Sequence, residues 1–318
     1  FQGSYTGGWV LWDGFTTAGT LFLNYGSLNT NGMPVNCKIF SSVNGMARTL
    51  TLGSTVFTCN TGSNPASYIR INSTNLALNS GTSTFIFNGA SSSTYPIIIK
   101  GNNSLEFNRF QLANSSFNST HFNIQAHTKI KKFTVAAYSF SMSTDISTSN
   151  IKVVIDTLVL NSMEYGGNYS LDNYLVKYQL KIQEIFSNPG TSLSIYADIQ
   201  DTIRNITSTG SNFAVRGAGT RFHKVLLNCD ATFSSNNVFD SLKFFPAKKY
   251  LLQSNSTQTI LQHFSALGNG CFPITIQSTS AGIQSGISRA SGNVVCGYLE
   301  LRDQQATGGA TFYAGKFS

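Results

Sequence analysis

Two short blocks near the C-terminus, Cys271-Phe-Pro-Ile-Thr-Ile276 and Cys296-Gly-Tyr-Leu-Glu-Leu301, share one layout 25 residues apart. In each, a cysteine stands three places before an apolar-polar-apolar triplet. That alternation is the period of a β-strand with one buried face. A repeat one supersecondary unit long implies strands stacked coil on coil, because a single unit cannot bury its own apolar face. The same cadence opens the chain. Leu23-Asn-Tyr-Gly-Ser27, Leu50-Thr-Leu-Gly-Ser54 and Leu76-Ala-Leu-Asn-Ser80 share a pattern, with spacings of 27 and 26 residues. Gly or Asn turns each corner, since both tolerate positive φ. This reading stacks Leu23, Leu50 and Leu76 inside the coil.

The runs between these blocks keep strand character. Val176, Tyr178, Leu180 and Ile182 fall on one face, with Lys177, Gln179, Lys181 and Gln183 on the other. Residues 165–174 are less regular, and residues 1–20, which hold Trp9 and Trp12, read as a cap over the first coil. No Pro-rich or Gly/Ser-rich linker interrupts the chain. The expectation is all-β: a single elongated domain over 1–318, a right-handed parallel β-helix. The alternative is a pair of stacked β-sandwiches, which accounts for the short strands but not for the cadence. Asn31-Gly32, Asn44-Gly45 and Asn88-Gly89 are hairpin-type dipeptides that keep antiparallel pairing open.

Charge narrows the partners. The net charge is +8, from 21 basic and 13 acidic residues, and only 11% of residues are charged, about half the usual share. The excess comes from few acids rather than many bases. Lys129, Lys131 and Lys132 form the densest cluster and Lys248 and Lys249 a second pair, with no basic helical face or nucleic-acid-binding motif beside them. Nucleic acid is therefore not an expected partner; these cations read first as solvated surface, and a weak attraction to acidic cell-surface or environmental polysaccharide is the sharper alternative. No run is long enough to span a membrane. Phe1, with no initiator Met or signal peptide, reads as the start of a mature or excised segment. The polar, Asn-rich, weakly charged composition fits an extracellular setting.

Little in the sequence converges for chemistry. Polysaccharide lyases and hydrolases need clustered carboxylates, and here the acids are scattered. Asp198 and Asp201 are the nearest useful pair, but three residues apart they face opposite sides of a regular strand. His121, His127, His223 and His263 lack metal-ligand spacing, and no Gly-x-Ser-x-Gly elbow accompanies them. No catalytic, metal-binding or cofactor-binding residue is assigned, and no cofactor is expected. The five cysteines include no CxxC. Cys271 and Cys296 are expected at one register in adjacent coils, as a disulfide or as a reduced cysteine ladder, whereas the leucine repeat puts Cys37 and Cys59 out of register.

Several blocks carry a family resemblance. They are Gly26-Ser-Leu-Asn-Thr-Asn-Gly32 with Arg48-Thr-Leu-Thr-Leu-Gly-Ser54, and Leu78-Asn-Ser-Gly-Thr-Ser-Thr-Phe-Ile-Phe87. Near the C-terminus come Tyr250-Leu-Leu-Gln-Ser254, Ile274-Thr-Ile-Gln-Ser-Thr-Ser-Ala-Gly282 and Leu299-Glu-Leu-Arg-Asp303 with Ala306-Thr-Gly-Gly-Ala-Thr-Phe312. In this order they resemble the large cell-surface and gliding-associated proteins of Flavobacterium-like Bacteroidota, which the type IX secretion machinery exports. The resemblance implies a non-enzymatic adhesin or stalk segment at the cell surface. The family's C-terminal sorting domain is missing, which implies a segment of a longer protein. A carbohydrate-active β-helix or glycan-binding module is the alternative. Asp156-Thr-Leu158, Asp201-Thr-Ile203 and Asp240-Ser-Leu242 resemble the Bacteroidota O-glycosylation sequon, which carries over to Thr157, Thr202 and Ser241 as sugar-bearing hydroxyls.

Overall fold

The computed structural model describes residues 7–60, 68–88, 97–115, 122–137, 139–142, 151–161, 167–172, 179–196, 202–216 and 221–315. Every regular element among them is a β-strand, and the named strands pair in parallel. The fold is a parallel β-helix. Its residues group into two compact units, Phe1–Asn168 with Leu175–Lys181, and Tyr169–Tyr174 with Ile182–Ser318.

In the first unit the early coils are three-sided. One sheet runs Gly8–Val10, Gly26–Asn29, Arg48–Thr51, Leu76–Asn79. A second begins Phe15–Thr16, Val35–Cys37, Val56–Asn60, Thr84–Asn88, and a third Thr20–Phe22, Ile39–Ser42, Ile69–Asn72, Ile97–Lys100. From Leu105 onward one long strand replaces two short ones: Leu105–Ser115, then Thr128–Ala137, then Lys152–Asn161. Each long strand bends once. Its in-out alternation is interrupted by two successive outward residues, Asn108-Arg109, Lys131-Lys132 and Asp156-Thr157. That is one residue more than strict alternation allows, so both halves of the strand keep their apolar side chains inward.

The interior is aromatic. Phe57 stacks on Phe85 with ring centroids 5.0 Å apart, Phe85 meets Phe110 edge-on at 5.7 Å, and Phe110 meets Phe133 at 6.2 Å. In-register parallel strands impose this, because equivalent side chains of successive coils lie about 4.8 Å apart. Corners are set by backbone. Asn31 and Gly32 both have positive φ, 52° and 75°, yet they turn between sheets rather than closing a hairpin; Asn88-Gly89 is described only to Asn88. Gly81 (φ 52°) is obligatory: a Cβ there would strike the backbone of Gly53, the corner below.

The leucine stack needs correction. Leu50 is in register with Leu28 and Leu78, while Leu76 is opposite Arg48. Leu23, Leu50 and Leu76 are all buried, but not in one column. Coil length varies: the registered leucines Leu28, Leu50 and Leu78 are 22 and 28 residues apart, so Leu76 lies two residues off the column, a slip that leaves the same face inward, and Leu23 lies five residues off it, ahead of the strand Gly26–Asn29. The segment expected as a cap contributes strands Gly8–Val10 and Phe15–Thr16 to the first coil, with Trp9 and Trp12 exposed by 49% and 78%. Within the segment expected to be irregular lies the strand Gly167–Asp172.

The second unit is built from two parallel sheets. Thr202–Ser208, Arg221–Leu227, Asn237–Phe244 and Thr257–Leu267 form the bent-strand side. Thr191–Tyr196, Asn212–Arg216, Asp230–Ser234, Lys249–Leu252, Ile274–Ser278 and Leu299–Arg302 form the other. Ile274 pairs in register with Leu299, so the 25-residue repeat is a true coil. Tyr250 is buried face to face with Phe244 at 3.7 Å; its hydroxyl donates to the Leu227 carbonyl at 2.6 Å and accepts from the Phe245 amide at 2.8 Å.

Candidate functional site

The bend of the second unit's long strands concentrates polar chemistry. Arg204-Asn205 and His223-Lys224 face out in pairs, Asp240-Ser241 occupies the same bend, and Leu261 to His263 face out in the next coil. Asn205, Lys224, Ser241 and His263 are in register, so they form a column with one polar side chain per coil. Beside it, His223 stands opposite Asp240.

Asp240 is the exception in this row. Its side chain is only 4% exposed, beneath Arg221 and His223, which are 58% and 51% exposed. Burial follows from the strand: Phe239 and Leu242 both point into the coil, and the bulge at this register tucks Asp240 against the sheet. Arg221 places Nη2 and Nε 2.8 and 2.9 Å from Oδ1, and His223 Nδ1 lies 2.7 Å from Oδ2. That contact is one of proximity: among the described residues Oδ2 has no hydrogen-bond partner, whereas Oδ1 is held by Arg221. A carboxylate removed from water needs such pairing. Asn205 donates to Glu184 at 2.6 Å, and Lys243 lies over the ring of Phe245 at 4.7 Å.

The result is an open strip whose cations, Arg204, Arg221, Lys224 and Lys243, come from three successive coils and outnumber Asp240 and Glu184. Such a strip attracts anions and offers amide, hydroxyl and imidazole groups for hydrogen bonding. A histidine oriented by a buried carboxylate is also one component of a general base.

The other expected positions are dispersed. Thr157 and Ser241 are half-buried within strands, Thr202 begins one, and the following Leu158, Ile203 and Leu242 are buried; each hydroxyl residue therefore stands on the outer side. Asp156 is engaged by Lys129 at 3.6 Å, and Lys129 and Lys131 both approach Glu106, at 3.8 and 3.4 Å, so two lysines of that basic cluster are partly neutralised. Asp198, Asp201 and His121 lie outside the described residues. His127 accepts a hydrogen bond from the Lys152 amide.

The cysteine expectation is corrected. Cys271 is exposed in a turn closed by Asn269 and Phe272, whereas Cys296 is buried in the strand Asn293–Gly297, opposite Ala266; both thiols are free. The triplets after them stack, but the corners before them differ, because Pro273 and Gly270 shape a turn where the later coil continues as strand. Cys37 and Cys59 are in register after all: 22 residues is the length of that particular coil.

Sequence reasoning also missed Asp240 as a buried anchor. Its only signal was an aspartate at a strand position flanked by inward Phe239 and Leu242. Among the described residues, no three His, Cys, Asp or Glu side chains are grouped to hold a metal ion, and no helix is long and apolar enough to cross a membrane. No family model matches the chain, and neither a curated protein nor a solved structure matches it.

Proposed function

We propose that this chain is a non-catalytic extracellular surface segment, an adhesin or stalk exported by the type IX secretion machinery, that holds acidic polysaccharide along the bend of its second unit. The observation that carries this reading is the strip itself: Arg204, Arg221, Lys224 and Lys243 on successive coils, steadied by the buried carboxylate of Asp240. An open, one-sided strip suits an extended polymer, which can touch several coils at once, better than a small substrate, which needs enclosure. Retention of the full chain on an immobilised polyuronate, compared with a neutral glucan, tests the reading. Retention on the acidic matrix alone, reversed by salt, supports it; equal behaviour on both matrices contradicts it.

A second reading is a carbohydrate-active β-helix, favoured by the 2.7 Å contact between His223 and Asp240. Reducing-end and unsaturated-product assays separate the two: turnover abolished in His223→Gln would replace the binding reading with this one.

A further inference from the structure

We propose that Cys37 and Cys59 are a disulfide-forming pair that staples two successive coils of the first unit. The residues are direct partners in parallel strands, and their Sγ atoms are 3.9 Å apart. In-register neighbours put the Cα atoms about 4.8 Å apart, within the range a disulfide spans. Both side chains point into the coil, so side-chain rotation rather than strand movement brings the sulfurs together. The pair ends an apolar column: Cys59 is followed in register by Phe87, Leu112, Val135 and Leu160. The remaining cysteines have no such partner: Cys271 is in a turn, Cys296 faces Ala266, and Cys229 contacts the Ser208 hydroxyl at 3.3 Å.

The chemistry is thiol–disulfide exchange with a small-molecule disulfide. One protein thiolate attacks the reagent and releases one thiol. The second protein thiolate then attacks the mixed disulfide and releases another, so the protein loses two electrons and two protons and the reagent gains them. Access decides the timing. Cys59 is fully buried, while Cys37 retains 4% exposure at the edge of a surface groove lined by Thr16, Asn36, Lys38 and Thr58. Burial, reinforced by the neighbouring thiol, raises Cys59 well above the ordinary thiol range. The exchange therefore runs while the coil is open, during folding or local opening, and refolding shields the product from reductants.

The experiment refolds the full chain with oxidised glutathione and in parallel with a thiol reductant, alkylates under denaturing conditions, and maps the peptides. The expected product is one peptide pair linked through Cys37 and Cys59 in the oxidised sample and two alkylated peptides in the reduced one. The oxidised chain should also have a higher urea midpoint, and that difference should vanish in both Cys37→Ala and Cys59→Ser. Alkylation of both thiols after oxidation, linkage to other cysteines, or a midpoint difference that survives either substitution would overturn the proposal.

Discussion

Arg48 Nη1 donates to both the carbonyl oxygen of Ser42, at 2.6 Å, and the Ser42 hydroxyl, at 2.7 Å. The same guanidinium reaches the carbonyls of Met46, Asn72 and Thr74, so a side chain only 2% exposed binds turns from successive coils, with no ion-pair partner among the described residues. Burial lowers its pKa, but a guanidinium remains charged. Replacing it leaves buried carbonyls without donors. Arg48→Met is expected to lower stability by about 2–4 kcal/mol, and Arg48→Lys to recover less than half of that, because an ammonium cannot reproduce the planar fork. Urea midpoints of the three chains check this; full rescue by lysine would show that charge alone matters.

Leu50 tests the core. With Leu28 and Leu78 as its registered neighbours and no exposed surface, Leu50→Ala is expected to cost about 2–5 kcal/mol. Leu50→Asp should prevent folding, because an unpaired carboxylate has no partner in the coil. A far-ultraviolet circular dichroism spectrum of Leu50→Asp identical to that of the parent would contradict the register described.

These two positions show what the sequence could convey. Alternation made Leu50 recognisable as internal, and the equal spacing of Ile274 and Leu299 made their coil recognisable as a repeat. Unequal coils were not legible: Leu76 falls opposite Arg48 and Cys37 opposite Cys59 because intervening loops differ in length, and loops carry no periodic signal. Arg48 and Asp240 were hidden for a related reason. Each is a charge placed inside by partners from other coils, Ser42, Asn72 and Thr74 for one, Arg221 and His223 for the other. Hydrophobic patterning cannot report such partners.

Stability should fall in alkali. Desolvation raises the Cys296 thiol from 9.0 to about 11, and burial raises Cys229 as well. Between those two values the unfolded chain has lost the Cys296 proton while the folded chain keeps it. The unfolded state then binds fewer protons, and stability declines as pH rises through that window. Urea midpoints measured across it should drop, and the drop should be smaller in Cys296→Ala; an unchanged slope would remove Cys296 as a source.

At least one of Thr157, Thr202 and Ser241 is expected to carry an oligosaccharide in protein from the native source. Their outer-side positions leave room for it, although a sugar on Ser241 would cover the polar strip and compete with a bound polymer. Intact mass followed by fragmentation mapping decides this, and unmodified peptides at all three positions would refute it.

Asp240 separates anchoring from contact. Asp240→Asn removes the ion pair beneath two half-exposed partners and is expected to cost about 1–2 kcal/mol. Lys224→Ala, on the open face, should stay within about 0.5 kcal/mol while weakening any bound polyanion. Comparable losses in both would show that Asp240 is not the anchor of the strip.

Polyanion binding along the strip is measured by calorimetric titration of the full chain with a soluble polyuronate, beside the double variant Arg204→Ala/Lys224→Ala, at low and at physiological salt. The parent chain is expected to bind saturably, more weakly as salt screens the surface charge attraction, and the double variant to bind at least tenfold more weakly at unchanged stability. Absence of binding at low salt, or equal binding by the two chains, would contradict it.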